Sequence, residues 1–123
     1  MNIAIIANNL FYRESLKIAL NQITDFNISF DSDNLNSLFQ IAGIYDFQVV
    51  LIDSIYYQSE NIKKIFQCLP YTKILILSDS IESYFLDQQL DGISFDFIPK
   101  SSTKSLFEIK IRDSFNPSII FNM

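Results

Sequence analysis

The sequence predicts an α/β fold, a doubly wound parallel sheet of five strands in the order 2-1-3-4-5. One observation behind this prediction is that short apolar runs and segments of helical periodicity alternate five times along the 123 residues. Another is the continuously apolar run from Val49 to Ile52, which is typical of a central strand covered by helices on both faces. In this strand order the ligand crevice lies at the carboxyl ends of the first and third strands.

The predicted strands differ in how far their two faces are covered. The second strand alternates apolar and polar residues through Phe26, Ile28 and Phe30, so we expect it at an edge of the sheet. The other strands are the segments of largely apolar residues from Ile3 to Ala7, Gln48 to Asp53, Lys73 to Ser78 and Phe95 to Ile98.

Helical spacing of apolar residues, together with start and stop signals, predicts the five helices. The first runs from Leu10 to Asn21, and the second is capped by Ser32 or Asp33 and ended by Gly43. The remaining helices are one capped by Ser59 and closed by Pro70, one from about Ile81 to Leu90 stopped by Asp91-Gly92, and one capped by Ser102 or Thr103 that runs to about Asp113.

Composition favours one domain at residues 1–113, followed by a C-terminal tail or the start of a linker at 114–123. No apolar run approaches the roughly 18 residues that would span a membrane, and the N-terminus lacks a basic region, so we expect a cytoplasmic domain. Cys68 is the only cysteine, which excludes an intrachain disulfide; we expect it to be a small buried core residue.

The charge balance and the missing histidines exclude several functions. A net charge of −5 argues against nucleic-acid binding by this domain, because phosphate backbones require patches of lysine and arginine. The absence of histidine removes Ser-His-Asp and Cys-His catalysis, and also the role of a phosphohistidine donor. We expect no enzyme activity.

Three polar side chains stand at the carboxyl ends of predicted strands: Asp53, Ser78 and Lys100. Because these ends meet at one edge of a parallel sheet, we expect the three side chains to converge on one pocket. A carboxylate there can carry a phosphoryl group, whose oxygens the hydroxyl and the ammonium would bind. The plain alternative is that Asp53 caps a turn and forms a permanent ion pair with Lys100.

This ordered set of strand-end residues, Asp53, Ser78 and Lys100, resembles that of the receiver domains of bacterial two-component response regulators. Those domains have the CheY-like variant of the flavodoxin fold. The resemblance covers roughly residues 2–113 and implies that Asp53 is the phosphoacceptor, with Ser78 and Lys100 as its partners. It also places Phe97, three residues before Lys100, at the position of the aromatic switch residue. The stretch 11–16 looks like the first helix of regulators with a LuxR-type output.

The chain departs from that family where Mg²⁺ is held. The acidic pair after the first strand falls on Ala7 and Asn8, or on Asn8 and Asn9 if the register is shifted by one. Neither register supplies the hard, charged oxygens that Mg²⁺ prefers. We therefore expect no cofactor and weakened or lost phosphorylation of Asp53; Mg²⁺ would be needed only if the site still works.

The resulting hypothesis is an atypical receiver, or pseudo-receiver, that acts in signal transduction through protein–protein contacts. Its expected partners are a histidine kinase or downstream regulator, and a second copy bound through the face of the fourth helix, fifth strand and fifth helix. The residues expected to form an apolar patch on that face are Tyr84, Phe85, Leu86, Phe107, Ile111 and Phe115. The alternatives are a functional phosphoacceptor receiver and the N-terminal part of a DNA-binding transcriptional regulator.

Overall fold

Strands and helices alternate along the chain. The structure, a computed structural model, describes residues 1–79, 89–90 and 92–114. The strands are β1 (Asn2–Ile6), β2 (Asn27–Ser32), β3 (Val49–Asp53), β4 (Lys73–Leu77), β5 (Gln89–Leu90), β6 (Ile93–Ser94) and β7 (Asp96–Ile98). The helices are α1 (Leu10–Asn21), α2 (Leu35–Ile41), α3 (Ser59–Cys68) and α4 (Lys104–Asp113), with a short 3-10 turn at Ser54–Tyr56.

The main sheet has the order β2-β1-β3-β4-β7, and every neighbouring pair in it is parallel. With β7 as the fifth strand, this is the predicted order 2-1-3-4-5, and β2 lies at the predicted edge. All five residues of β3 are buried, as their continuous apolar run indicated. The predicted fold class is therefore confirmed.

Two apolar layers cover the sheet because successive residues of a strand point to opposite faces. Val49 and Leu51 of β3 pack in one cluster, together with buried residues of α1 and α4. Val50 and Ile52 pack in the other cluster, together with buried residues of α2 and α3. The carboxyl edge of the sheet is thus framed by helices on both sides.

The start signals of the helices were partly misread. Thr103 caps α4, as predicted, by accepting a hydrogen bond from the Leu106 N–H at 3.2 Å. The cap of α2 is Asn34 rather than Ser32 or Asp33, because Ser32 is still part of β2. Helix α2 ends at Ile41, before Gly43 is reached, and Ser59 is the first residue of α3 rather than its cap.

The prediction of a helix up to Leu90 was wrong at its end. Gln89 pairs in an antiparallel manner with Ser94, and Leu90 with Ile93, so this segment forms a hairpin. The Asp-Gly pair at 91–92 was read as a helix stop, but it is also a strong signal for a two-residue hairpin turn. Gly92 has a φ of +83°, which a residue without Cβ adopts at no steric cost. Residues 81–88 of the predicted helix lie outside the described residues.

Two predictions about burial were also wrong. Cys68, the last residue of α3, is exposed, whereas Ile65 on that helix and Leu69, which caps its end, are buried. Phe107 and Ile111, expected on the surface, are buried against the sheet, one helical turn apart. Of the other patch candidates, Tyr84, Phe85, Leu86 and Phe115 lie outside the described residues, as does the tail from residue 115.

Within the described ranges, none of the helices has the length and apolar character needed to cross a membrane.

Candidate functional site

The sheet places the three predicted site residues near its carboxyl edge. Asp53 is the last residue of β3, Ser78 directly follows β4, and Lys100 comes two residues after β7. Asp53 is 2% exposed and Ser78 is 1% exposed, the two polar residues among the buried side chains of the described part. The Ser78 N–H donates to the Ile98 carbonyl at 3.0 Å, which ties the end of β4 to β7.

The Asp53 carboxylate has both of its oxygens engaged. Its Oδ2 lies 3.0 Å from the Lys100 Nζ, and its Oδ1 accepts the Ile55 N–H at 3.1 Å. The second contact caps the 3-10 turn that begins at Ser54. Both elements of the plain alternative, a capping carboxylate and an ion pair with Lys100, are thus present in the structure.

The carboxyl end of β1 uses its polar groups for local structure. Asn9 caps α1 by accepting the Tyr12 N–H on its side-chain oxygen at 2.9 Å. Ala7 is fully buried, its N–H donates to Ser32, and its carbonyl accepts from the Arg13 guanidinium at 2.6 Å. Asn8 is exposed. In either register, the positions of the acidic pair are therefore occupied by the buried Ala7 and by the amides of Asn8 and Asn9. The Asn9 amide is already the cap of α1.

A cavity of about 440 Å³ opens at this edge. Its lining residues are Asn8, Asn9, Tyr12, Asp53, Asp79, Lys100 and Ser101. The structure therefore brings Asp53, Lys100 and the amides of the β1 end together around one space. Asp53 and Lys100 line this cavity, whereas Ser78 is buried and is not among its lining residues.

Three lining residues were missed from the sequence: Asp79, Ser101 and Tyr12. One oxygen of Asp79, Oδ1, accepts both the Ser101 N–H at 3.1 Å and the Ser101 hydroxyl at 3.2 Å. The Tyr12 hydroxyl donates to the Lys100 carbonyl at 3.2 Å. Asp79 carried a usable signal, since it directly follows Ser78 at the same strand end. Tyr12 did not, because its spacing on α1 suggested only a core contact.

Tyrosine hydroxyls on both sides of Asp53 have perturbed acidity. Burial raises the pKa of Tyr12 well above its usual value, and the negative charges of Asp79 and Asp53 raise it further. Burial also raises the pKa of Tyr56, with smaller effects of Asp33 and Asp53. The Tyr56 hydroxyl donates to the Asp33 carbonyl at 2.5 Å. Both phenols therefore remain protonated donors at neutral pH.

A magnesium ion in this cavity would compete with contacts that its carboxylates already make. Mg²⁺ prefers a near-octahedral shell of hard oxygens, usually with one or two carboxylates and several waters. The two carboxylates that line the cavity are held by other groups, Asp53 by Lys100 and Ile55, and Asp79 by Ser101. Among the residues that the structure describes, no group of three or more acidic or thiol side chains is placed to hold a metal ion.

Phe97, at the predicted switch position, is 1% exposed and lies within an aromatic cluster. Its ring centroid is 5.8 Å from that of Phe95 and 5.9 Å from that of Tyr57, and those two rings are 5.6 Å apart. Such tilted and edge-on arrangements are favourable for aromatic pairs. Because Tyr57 belongs to the segment after Asp53, the cluster connects that segment directly to β7.

Neither a protein-family model nor a curated protein sequence matches the chain. Solved structures do match it. A response regulator from Thermotoga maritima superposes with a TM-score of 0.77 at 16% identity, over 92% of this chain and 95% of that one. The RcsB response regulator of Salmonella typhimurium gives 0.77 at 18% identity, over 92% of this chain and 58% of that one.

A third structure contains a signalling complex. A chain from the complex of the phosphorylated P1 domain of CheA3 with CheY6, from R. sphaeroides, matches with a TM-score of 0.66 at 15% identity. That match covers 92% of this chain and 95% of the other. At such identities the likeness concerns the fold. The chain has the CheY-like fold of response-regulator receiver domains.

Proposed function

We propose that the chain is an atypical receiver domain that acts in signal transduction through protein–protein contacts, with Mg²⁺-dependent phosphorylation of Asp53 weakened or lost. The observation that carries this proposal is the ion pair between Asp53 Oδ2 and Lys100 Nζ at 3.0 Å. It balances the charge of the buried carboxylate within the chain, without a metal ion.

Phosphorylation would have to disrupt this arrangement. Asp53 is almost fully buried, so separating it from Lys100 would leave a carboxylate without its counter-charge, which costs several kcal/mol in a buried site. Its other oxygen accepts the Ile55 N–H, which further stabilises the unmodified carboxylate. Attack by Asp53 on a phosphoryl donor therefore begins from a stabilised ground state.

The β1 end offers little to compensate for that cost. Phosphoryl transfer depends largely on positioning and on neutralisation of charge by a metal ion. A carboxylate near a divalent ion is worth several kcal/mol at an effective dielectric constant of about 20. Asn8 and Asn9 provide amide dipoles instead of charges, and the Asn9 oxygen already caps α1. Mg²⁺ should accordingly bind weakly.

The output would come from contacts with a histidine kinase, a downstream regulator or a second copy of the chain. On α4 the apolar residues that reach solvent are Leu106, 40% exposed, and Ile109, 56% exposed, rather than Phe107 and Ile111. They border a groove of about 480 Å³ beside β4 and the segment that leads into β7. We propose this face as the contact surface.

Such a domain would work in the cytoplasm and bind partners without turning over a substrate.

A functional phosphoacceptor is the second candidate, and the open cavity favours it. Asp53 and Asp79 both line its wall, and the exposed Asn8 amide could add an oxygen ligand.

A DNA-binding regulator is a further candidate, because this chain matches 58% of the longer RcsB chain, whose structure concerns DNA interaction. In that case this domain would be its N-terminal part.

Incubation with acetyl phosphate and Mg²⁺, followed by intact-mass analysis, tests the proposal. We expect no added phosphoryl mass in the wild type under conditions that phosphorylate an ordinary receiver run in parallel. A phosphorylated species that is absent from Asp53→Asn would establish the second candidate instead.

A further inference from the structure

We propose that Asp79 determines the ligand specificity of the cavity beside Asp53: its carboxylate occupies the hydrogen-bond donors of Ser101 and keeps phosphate-class anions out. This inference rests on the proposed function, because it gives a reason why a cavity that contains Lys100 would not receive a phosphoryl group.

The hydrogen-bond donors that phosphate would need at this wall of the cavity already have partners. A backbone N–H, a hydroxyl and an ammonium group are suitable partners for phosphate oxygens. Ser101 and its neighbour Lys100 provide these three groups on the wall of the cavity. Both Ser101 donors point to a single oxygen of Asp79, at 3.1 and 3.2 Å, and Lys100 is paired with Asp53. Asp79 thus takes the place that an external anion would need.

The ionisable lining of the cavity consists of two carboxylates and one ammonium, apart from the phenol of Tyr12, so its formal charge at neutral pH is −1. An anion that enters would be repelled by Asp79 while Lys100 is neutralised by Asp53. Burial is the main cause of the raised pKa of Tyr12, and the negative charges of Asp79 and Asp53 raise it further.

Asp79 can be removed without dismantling the site. Asp79 and Ser101 are both exposed, so their hydrogen bonds contribute little to the stability of the fold. Lys100 keeps its own contacts, from its ammonium to Asp53 and from its carbonyl to the Tyr12 hydroxyl. A variant at position 79 should therefore stay folded and keep Lys100 in the cavity.

The test is a titration of the full chain with inorganic phosphate, without divalent metal and at constant ionic strength, followed through the amide signals of Lys100 and Ser101. Asp79→Ala removes the charge and frees the Ser101 donors, whereas Asp79→Asn removes the charge and keeps an oxygen acceptor. Asp113→Asn is the matched control: it makes the same change in charge at the far end of α4, about 14 Å along the helix from Lys104.

We expect Asp79→Ala to bind phosphate about tenfold more tightly than the wild type, as a unit change in nearby charge allows. If Asp79→Asn also binds phosphate more tightly than the wild type, the effect is due to charge. If only Asp79→Ala does so, the effect is due to the Ser101 donors. Both results support the proposal. Equal affinities for the wild type, Asp113→Asn and both Asp79 variants would overturn it, as would an equal gain in Asp113→Asn. If Asp79→Ala fails to give a folded spectrum, Asp79→Gly, which also removes both the charge and the acceptor of the Ser101 donors, takes its place in the same comparison.

This outcome is separable from that of the proposed function. The phosphorylation assay asks whether the wild type reacts with Mg²⁺ present, whereas the phosphate titration ranks variants in the absence of metal. A wild type that is phosphorylated would refute the proposed function, and the ranking of the variants would still decide the role of Asp79.

Discussion

The carboxyl ends of β1 and β3 are neighbours in the sheet but have different chemistry. The end of β3 carries Asp53, a buried charge paired with Lys100 at 3.0 Å. The end of β1 carries Ala7, Asn8 and Asn9, which have no charge; Ala7 and Asn9 take part in backbone hydrogen bonds, and Asn9 also caps α1. The difference shows that Lys100 balances the charge of Asp53 within the chain, and we propose that Asp53 therefore has little need of a metal ion.

Restoring charge to the β1 end should have the largest effect. Asn8→Asp combined with Asn9→Asp should tighten Mg²⁺ binding at least about 100-fold, because two carboxylates then join Asp53 around the ion. Aspartate at position 9 can still cap α1. The affinity is measured by titration at constant ionic strength. The control is Asn36→Asp with Gln40→Glu, which adds the same charge on α2; equal affinity in the two double variants would refute the comparison.

Removing the charge partner at the β3 end should come next. Lys100→Ala leaves Asp53 buried without its counter-charge and should lower the free energy of unfolding by about 2 kcal/mol. The value is below that of a fully buried pair because the Lys100 side chain is 30% exposed. Urea denaturation measures it. Lys110→Ala, which breaks a pair whose carboxylate, Asp96, is 40% exposed, should cost about 0.5 kcal/mol; equal losses would mean that the Asp53 pair is not special.

The structural role of the β1 end predicts a smaller effect. Asn9→Ala removes the cap of α1 and should lower the free energy of unfolding by about 1 kcal/mol, whereas Asn8→Ala should leave it nearly unchanged. Thermal or urea denaturation of both variants checks this. If Asn8→Ala is the more costly of the two, Asn8 has a contact that outweighs the cap.

The smallest effect is expected at Tyr12, with a characteristic pH dependence. Tyr12→Phe loses the hydrogen bond to the Lys100 carbonyl and should cost about 0.5 kcal/mol at neutral pH. Because the fold raises the pKa of Tyr12, the wild type loses stability above about pH 10, where the unfolded chain ionises and the folded chain stays protonated. The difference in the free energy of unfolding between the wild type and Tyr12→Phe should then disappear.

Urea unfolding from about pH 8 to about pH 10.5 measures that difference. Tyr71→Phe is the control, because Tyr71 is 92% exposed and its substitution should leave the alkaline loss of stability in place. A Tyr12→Phe protein that loses stability as steeply as the wild type would contradict the assignment to Tyr12.

The fold and the central pair could be predicted from the sequence because both follow from local patterns. The apolar run of β3 indicated a central strand, and the periodicity of α1 gave its bounds, Leu10–Asn21. Asp53 and Lys100 were predictable neighbours because parallel strands end at one edge. These inferences need only spacing and topology.

Contacts between distant segments could not be predicted in the same way. The Tyr12 hydroxyl reaches a carbonyl 88 residues away, and no local pattern encodes that contact. Asp79 and Ser101 follow the neighbouring strands β4 and β7, so their proximity could have been inferred from topology, although their hydrogen bonds could not. The error at Phe107 had another cause: a surplus of apolar residues was taken as a sign of exposure, although helical spacing decides which residues face the sheet. The roles of the remaining surface residues depend on partners.

The most direct test of the internally balanced site is an amide-correlation NMR titration of the wild type with Mg²⁺, then with beryllofluoride as a mimic of the phosphoryl group. The account predicts a spectrum that neither addition changes, at concentrations that saturate an ordinary receiver. Localised shifts around Asp53, Ser78 and Lys100 at millimolar Mg²⁺ would contradict it and show that the pocket still binds the metal.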